Sequence, residues 1–287
     1  MKIIVTGTGT PIGNAIAKRL LENHHKVTCV YNSNFPINLK KFKNFYPQKL
    51  DLAKKFKLNL AADVLIHCAS ATPERNNSIE LRKINVIGFD NLLKSLNLKT
   101  IKKIILISSI AVYEKNKQNI ITENSLPIFK SKYAKSKYDQ ENVLIKFKRK
   151  GLKKIILRLS SVLYKNCKVN FYCRTISSIR NKKKVVINGD NKFINSVIFL
   201  DDLVKIVQRF LISGNKEKNF IFNIVSKKPK KIKKILDNFY KRLGEKKNYI
   251  IKSSQDKNYI FSTKKLSKTK FKIPTVDSTI NKFLNDI

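Results

Sequence analysis

Tyr133 and Lys137 stand four residues apart in Ser131-Lys132-Tyr133-Ala134-Lys135-Ser136-Lys137, and Ser108-Ser109 closes an apolar stretch upstream. On a helix, positions i and i+4 share a face one turn apart, so this spacing sends a phenol and an ammonium into the same space. A free tyrosine titrates near ~10 and is a poor base at neutral pH. A nearby cation favours the phenolate and brings tyrosine into the range of useful proton transfer. A serine hydroxyl delivered by a neighbouring strand end can hold the substrate oxygen that the tyrosine serves. In a lysine-rich chain the Tyr-x-x-x-Lys spacing also arises by chance, so its meaning rests on the elements around it.

The N-terminus supplies the first of them. Lys2-Ile3-Ile4-Val5-Thr6 is a short β-branched run, followed by Gly7-Thr8-Gly9-Thr10-Pro11-Ile12-Gly13 and then Asn14 to Leu21, with Ile12, Ile16, Leu20 and Leu21 at helical spacing. This is strand, glycine turn, helix, and Lys26 to Tyr31 closes a β-α-β unit. Such a turn lets backbone approach a pyrophosphate at the positive helix N-terminus. A plain tight turn would read the same in isolation; in this context the motif favours a dinucleotide.

The chain of 287 residues can bury one large core or two modest ones. No apolar run reaches the ~18–20 residues of a membrane helix, and no signal peptide precedes the first strand. Cys29, Cys68, Cys167 and Cys173 form no C-x-x-C pair, so reduced cysteines in a cytoplasmic protein are expected. His24, His25 and His67 lack partners at ligand spacing, which leaves no metal site. The formal net charge of +42 raises nucleic acid or an anionic membrane as partners. Against both, the lysines are spread along the whole chain and aromatics are not interleaved with the basic runs as stacking platforms. Solvated surface is the better account, with neither nucleic acid nor membrane as partner, although an anionic substrate would still be drawn in.

Further along, Pro47 to Leu52 reads as a third strand with Asp51 near its end, Asp63 to Ala71 as a fourth running into small residues, and Ser78 to about Leu98 as a long helix. Lys103 to Ile107 is the fifth strand, the helix with Tyr133 and Lys137 follows, and Lys154 to Leu159 is the next strand. After about residue 165 the alternation loosens. Asn170 to Arg180 reads as helix, Lys184 to Ile187 as strand, Gly189-Asp190-Asn191 as turn, Asn219 to Ile224 as strand and Pro229 to Leu243 as helix.

Taken in order, these segments resemble the extended short-chain dehydrogenase/reductases, specifically the nucleotide-sugar epimerase/dehydratase family. Thr6-Gly7-x-x-Thr10-x-x-Gly13 is similar to its T-G-x-x-G-x-x-G turn, Asp51-Leu52 to the pair beside the adenine, and His67-Cys68-Ala69-Ser70 to its H-x-A-A segment. Asn85-Val86-x-Gly88-x-x-Asn91-Leu92-Leu93, Ser108-Ser109-x-x-Val112-Tyr113, Leu157-Arg158, Phe199-Leu200-Asp201-Asp202-Leu203 and Phe222-Asn223-Ile224 continue the resemblance. It implies a Rossmann-type doubly wound parallel sheet over residues 1–165, with 197–225 returning to it. A small split substrate domain would comprise 166–196 and 226–287. It implies Ser109, Tyr133 and Lys137 as the catalytic set, with Lys137 also holding the cofactor ribose. Cofactor contacts would come from Gly7, Thr10, Pro11, Ile12, Gly13, Asn32, Asp51, Leu52, Cys68, Ala69 and Ser70. The implied substrate is a nucleotide-activated sugar undergoing 4-epimerisation or 4-keto reduction, and a homodimer is allowed.

Several positions depart from the family pattern. Thr10 stands where the middle glycine belongs, with Gly9 displaced by one. Tyr31-Asn32-Ser33-Asn34 offers neither the acid that NAD-preferring relatives place there nor an arginine, which favours NADP by a small margin and admits NAD. Ile110 and Ala111 occupy the places of the dehydratases' Asp-Glu and cannot do acid/base chemistry, which speaks against dehydration. Asn195 stands where an arginine grips the substrate diphosphate, leaving Arg174 or Arg180 as substitutes. A catalytically silent, cofactor-sensing regulator of the same fold is the second reading; such proteins usually lose the serine, tyrosine or lysine, and all three are present. Nucleic-acid binding, suggested by charge alone, is the third.

Overall fold

The computed structural model describes residues 1–56, 61–74, 76–97, 99–114, 116, 118–189, 192–213, 221–253 and 259–287. The chain divides into two compact units: residues 1–115, 126–158 and 204–222 form the first, and 116–125, 159–203 and 223–287 the second.

The first unit carries the Rossmann-type sheet. Its strands are β1 (Lys2–Thr6), β2 (Lys26–Tyr31), β3 (Phe45–Lys49), β4 (Val64–His67), β5 (Lys103–Ser109), β6 (Lys153–Leu159) and β7 (Ile221–Ile224), in the order β7-β6-β5-β4-β1-β2-β3. β1 pairs in parallel with both β2 and β4, and the order runs outward in both directions from there. Cofactors in such sheets bind beyond the C-terminal strand ends where the order reverses. β1, β4 and β5 read as near-continuous apolar runs because both faces are covered; Ile3, Ile4, Val5, Leu65, Ile66 and Ile104 are all buried. Helix α1 (Pro11–Glu22) presents Ile16, Ala17, Leu20 and Leu21 to this core.

The expected long helix from Ser78 is three pieces. α2 (Ser78–Arg82) begins with a capping box in which Asn77 and Glu80 satisfy each other's backbone. A π-helical turn follows at Lys83–Gly88, then α3 (Phe89–Ser95). The expected end near Leu98 lies outside the described residues, as do Asp190 and Asn191 of the Gly189 turn and the start of the strand expected from Asn219. Helix α4 (Lys132–Lys146) carries Tyr133 and Lys137.

The second unit packs helices Phe171–Arg180, Ile232–Leu243 and Val276–Asp286 around Tyr172, Ile176, Leu236, Phe239, Ile280 and Phe283. Its strands are two to four residues long and pair two by two: Ser161–Leu163 with Val197–Phe199, Val185–Asn188 with Tyr249–Lys252, Phe193–Ile194 with Lys230–Lys231, and Ile120–Ile121 with Ile260–Phe261. The division differs from the expected one at four places, one of them residues 223–225, which fall in the second unit. Residues 159–165 and 197–203 cluster with the second unit because their strands pair with each other, and 116–125 joins them through the Ile120–Ile260 pairing. The cysteines also depart from expectation: Cys167 and Cys173 form a disulfide with Cα atoms 5.7 Å apart, while Cys29 and Cys68 are free thiols. Asn170 brings the pair together by capping the helix that contains Cys173. Among the described residues no helix is long and apolar enough to cross a membrane.

Candidate active site

All three candidate catalytic side chains belong to the first unit. Ser109 ends β5 and caps the 3₁₀ turn Ile110–Tyr113, its Oγ accepting from Ala111 N at 3.1 Å. Tyr133 stands in the first turn of α4. That turn is fixed twice over: Ser131 accepts from Ala134 N at 3.1 Å, and Glu114 accepts from Lys130 N, Ser131 N and Ser131 Oγ at 2.9, 2.7 and 2.8 Å. Glu114 directly follows the turn that Ser109 caps, so one short segment places both hydroxyl-bearing residues.

The Ser109 and Ser70 hydroxyls face the Tyr133 phenol and act on its acidity. Burial raises its pKa above the ordinary tyrosine value; the two serines pull it down, and Glu74 and Glu114 push it up. Lys137 is fully buried one turn on, and its Nζ donates to Ile107 O at 2.9 Å and Gln140 Oε1 at 2.5 Å. Burial lowers it to about 8, opposed by the negative charge of Glu141. The ammonium is thus engaged by the strand end and by its own helix, and the groups that tune the phenol are two serines and two carboxylates. Ser70 had no catalytic part in the sequence reading. Asn85 explains its presence: its amide accepts from Ala71 N at 2.7 Å and Ser70 Oγ at 3.2 Å, and donates to Ala71 O at 3.1 Å and Ser136 Oγ at 3.0 Å. It ties the end of β4 to α4. The Asn85-Val86-x-Gly88 stretch was the signal that pointed to it.

A cavity of about 280 Å³ opens at the C-terminal ends of β1, β2 and β4. Of the candidate cofactor residues, Gly7, Thr10, Asn32, Asp51, Leu52, Ala69 and Ser70 line it. Pro11, Ile12 and Gly13 form the first turn of α1, and Cys68 lies on β4's exit beside Lys137. Thr6 Oγ accepts from Cys68 N and Ala69 N at 3.2 and 3.1 Å and bonds His67 Nδ1 at 2.9 Å, which locks the two strand ends together. Gly7 has φ +73°, and a Cβ there would lie 2.7 Å from Ala69 N, so only glycine keeps this corner open. The displaced Gly9 has its own reason: a side chain would run into the Asn34 carbonyl of the loop that folds over it.

Thr10 reshapes the helix entry. Its hydroxyl donates to Gly7 O at 2.7 Å and accepts from Gly13 N at 3.4 Å, while Asn14 N donates to Thr10 O at 2.8 Å and Pro11 has no N–H. Burial pushes the Cys68 thiol up to about 12. His67 is buried with Nε2 unpartnered, and burial together with the Lys137 charge holds its pKa well below the ordinary range. Neither side chain is an acid or base at neutral pH.

The substitutes considered for a diphosphate clamp fall in the second unit. Asn195 is buried and bonds both ways with Phe261, donating to its carbonyl at 2.7 Å and accepting from its N–H at 3.0 Å. Arg180 donates to Ile287 O at 3.0 Å, and Arg174 is exposed.

Residues 3–225 match the family described as "Epimerase: NAD dependent epimerase/dehydratase family". No curated protein matches the sequence. Among solved structures, a UDP-glucuronic acid 4-epimerase from Bacillus cereus in complex with NAD superposes with TM-score 0.83 at 21% identity, over 99% of this chain and 97% of that one. A UDP-glucose 4-epimerase from Thermotoga maritima with UDP-glucose gives 0.81 at 20%, over 99% and 98%. The Bordetella bronchiseptica enzyme WbmG in complex with NAD gives 0.81 at 17%, over 99% and 93%.

Proposed function

Because the chain belongs to the NAD dependent epimerase/dehydratase family, we propose that it epimerises a nucleotide-activated sugar at a ring hydroxyl, using Tyr133 and Ser109. The observation that carries this reading is the Tyr133 phenol facing the Ser109 hydroxyl beside a cavity that fits a dinucleotide. The fit is physical: the Gly7 corner admits close backbone approach, and Ile12 is the first-turn position whose N–H is not used by Thr10. Gly7 and Ile12 would hold the pyrophosphate, with Gly13 keeping the helix entry close, Asp51 and Leu52 the adenine, Asn32 the adenosine ribose and Lys137 the other ribose. Hydride exchange is the chemistry that the dinucleotide supplies when bound.

Tyr133 Oη takes the proton of the substrate hydroxyl and returns it, and Ser109 Oγ shares a hydrogen bond with the same oxygen. Positions 110 and 111 hold Ile and Ala, so no carboxylate follows Ser109 to expel a neighbouring hydroxyl; elimination has no base there. Relatives in the superposition include enzymes solved with UDP-glucose and with UDP-glucuronic acid, which supports a UDP-sugar as substrate.

One observation favours a second reading, reduction of a 4-keto sugar. Burial and the Glu74 and Glu114 charges raise the Tyr133 pKa, and a phenol kept protonated is the acid that a carbonyl oxygen needs. The test is incubation of the purified protein with NAD or NADH and a panel of UDP- and other nucleotide sugars that includes 4-keto sugars, with products resolved by NMR. Epimer formation without net change in cofactor absorbance supports the first reading, and stoichiometric NADH oxidation supports the second. No conversion of any nucleotide sugar refutes both.

A further inference from the structure

Three buried polar side chains of α4, Lys137, Gln140 and Glu141, follow Tyr133 along the helix. Two of them are bonded to the end of β5. Lys137 donates to the Ile107 carbonyl at 2.9 Å, and Ser108 Oγ donates to Glu141 Oε1 at 2.5 Å. Residues 107 and 108 immediately precede Ser109. The helix bearing Tyr133 and the strand end bearing Ser109 are therefore registered at two adjacent points.

Glu141 is gripped from the next strand. Arg158 Nε reaches its two carboxylate oxygens at 3.0 and 3.2 Å, and Nη2 reaches Oε2 at 2.6 Å. Arg158 Nη1 donates to the Tyr113 hydroxyl, and the guanidinium lies 4.9 Å over that ring. Tyr113 ends the turn that Ser109 caps. The carboxylate residue is 0% and the arginine 2% exposed. An ion pair taken so far out of water is a poor source of stability, because desolvation offsets the attraction, and its better-attested use is to fix register.

We propose that Glu141, clamped by Arg158, is a positioning residue for the reaction: it fixes the Ser108–Ser109 strand end against the helix of Tyr133 and Lys137, and sets a negative charge facing the Lys137 ammonium. This rests on the reading of Ser109, Tyr133 and Lys137 given above.

The titratable and charged groups around Lys137 are His67 and Cys68 from the end of β4, Glu141 from its own helix, and Arg158 behind Glu141. Burial draws Lys137 down to about 8, and Glu141 opposes it. Replacing the carboxylate by an amide removes that opposition, so the lysine must lose its proton at lower pH.

The experiment uses the full chain with NADH. Glu141→Gln keeps the size and an acceptor for Ser108 while removing the charge; Ser108→Ala keeps the charge and removes the strap. NADH affinity is followed by fluorescence from about pH 6 to about pH 10, the span in which a buried lysine can titrate, with thermal unfolding recorded alongside. In the unmutated protein affinity should fall with a midpoint near about 8. In Glu141→Gln the midpoint should lie lower by roughly one unit or more. In Ser108→Ala the midpoint should stay while kcat drops about tenfold or more at unchanged KM, the result of misplacing a hydroxyl by a fraction of an ångström. A wild-type midpoint in Glu141→Gln, or a wild-type kcat in Ser108→Ala, overturns the proposal, even where either variant melts earlier. If Glu141→Gln does not fold, Ser108→Ala decides. Should the unmutated protein convert no nucleotide sugar, the functional reading fails, while the NADH midpoints still judge the role of Glu141.

Discussion

Tyr133 and Lys137 leave the same helix one turn apart, yet the Lys137 ammonium is bonded to the Ile107 carbonyl and Gln140, and the phenol faces the Ser109 and Ser70 hydroxyls. Two side chains that the spacing alone would pair are each engaged elsewhere. The phenol's acidity in this state is set by burial and hydroxyl donors, so its proton is the quantity to remove first. Tyr133→Phe should cut kcat by ~10²–10⁴-fold, the usual value of one acid/base group, with unfolding temperature and NADH affinity unchanged. Steady-state kinetics and a binding titration check this. Activity within a few-fold of wild type would take Tyr133 out of the mechanism.

Cofactor choice should turn on one position. Tyr31, Asn32, Ser33 and Asn34 form the cavity rim without a carboxylate, so the unmutated protein should accept NADP(H) as well as NAD(H). Asn32→Asp should shift preference towards NAD by accepting from the ribose 2′-hydroxyl and repelling a 2′-phosphate. Titrating both cofactors against both proteins measures the shift; strong NAD selectivity before mutation would mean that an acid reaches the ribose from another segment.

Thr10 occupies a helix N-cap with its hydroxyl turned into the glycine loop. Thr10→Gly should lower stability by only a few tenths of a kcal/mol, since glycine is a tolerated cap. It should also strengthen dinucleotide binding several-fold by freeing the Gly13 N–H. Calorimetric titration beside a melting curve separates the two effects. Unchanged or weaker binding would show that the threonine hydroxyl is itself a useful contact.

Lys103 is buried and donates to the carbonyls of Phe210, Leu211 and Ser213 at 2.7, 2.6 and 3.0 Å, closing the end of the helix Leu200–Ile212. Lys103→Met leaves those acceptors unpaired, and should cost about 1–3 kcal/mol. Burial, aided by the Lys153 charge, lowers Lys103 to about 8 from the 10.5 of an exposed lysine. Between those values the unfolded chain binds more protons than the folded one, so this residue's contribution to stability rises with pH. The deficit of Lys103→Met should therefore widen as pH rises through that window, measured by urea unfolding of both proteins. A deficit that narrows would reverse the assignment.

With a net charge of +42, duplex DNA should bind weakly, without sequence preference, and release steeply with salt. Binding isotherms on several DNA and RNA sequences at low and physiological ionic strength test this. Tight, sequence-selective binding that survives physiological salt would restore a nucleic-acid role.

Legibility from sequence followed the length of the elements. β1, the glycine turn and α1 could be read directly because an apolar run, a turn and a helical period follow one another without interruption. The placement of Ser109, Tyr133 and Lys137 could be read because they stand on two regular elements that pack together. The π-helical turn at Lys83–Gly88 could not, since its period differs from the helices on either side by a single inserted residue. Ser70 and Glu114 act on Tyr133 from loops, where no period marks them. The paired strands of the second unit are too short to alternate; Ile120–Ile121 and Ile260–Phe261 find each other across more than a hundred residues of chain. The place of Asn195 could be read from motif order, while its bond to Phe261 depends on that same distant pairing.

The cross-link between Cys167 and Cys173 closes a ring of chain only six residues apart. A tether that short removes little freedom from the unfolded chain, so opening it should cost about 2 kcal/mol. Around it, Asn170 still caps the following helix through Cys173 N at 3.0 Å and donates to Val162 O at 3.0 Å. The fold should consequently persist in oxidising and in reducing surroundings alike: dithiothreitol should lower its melting point by a few degrees and leave its cofactor affinity where it was.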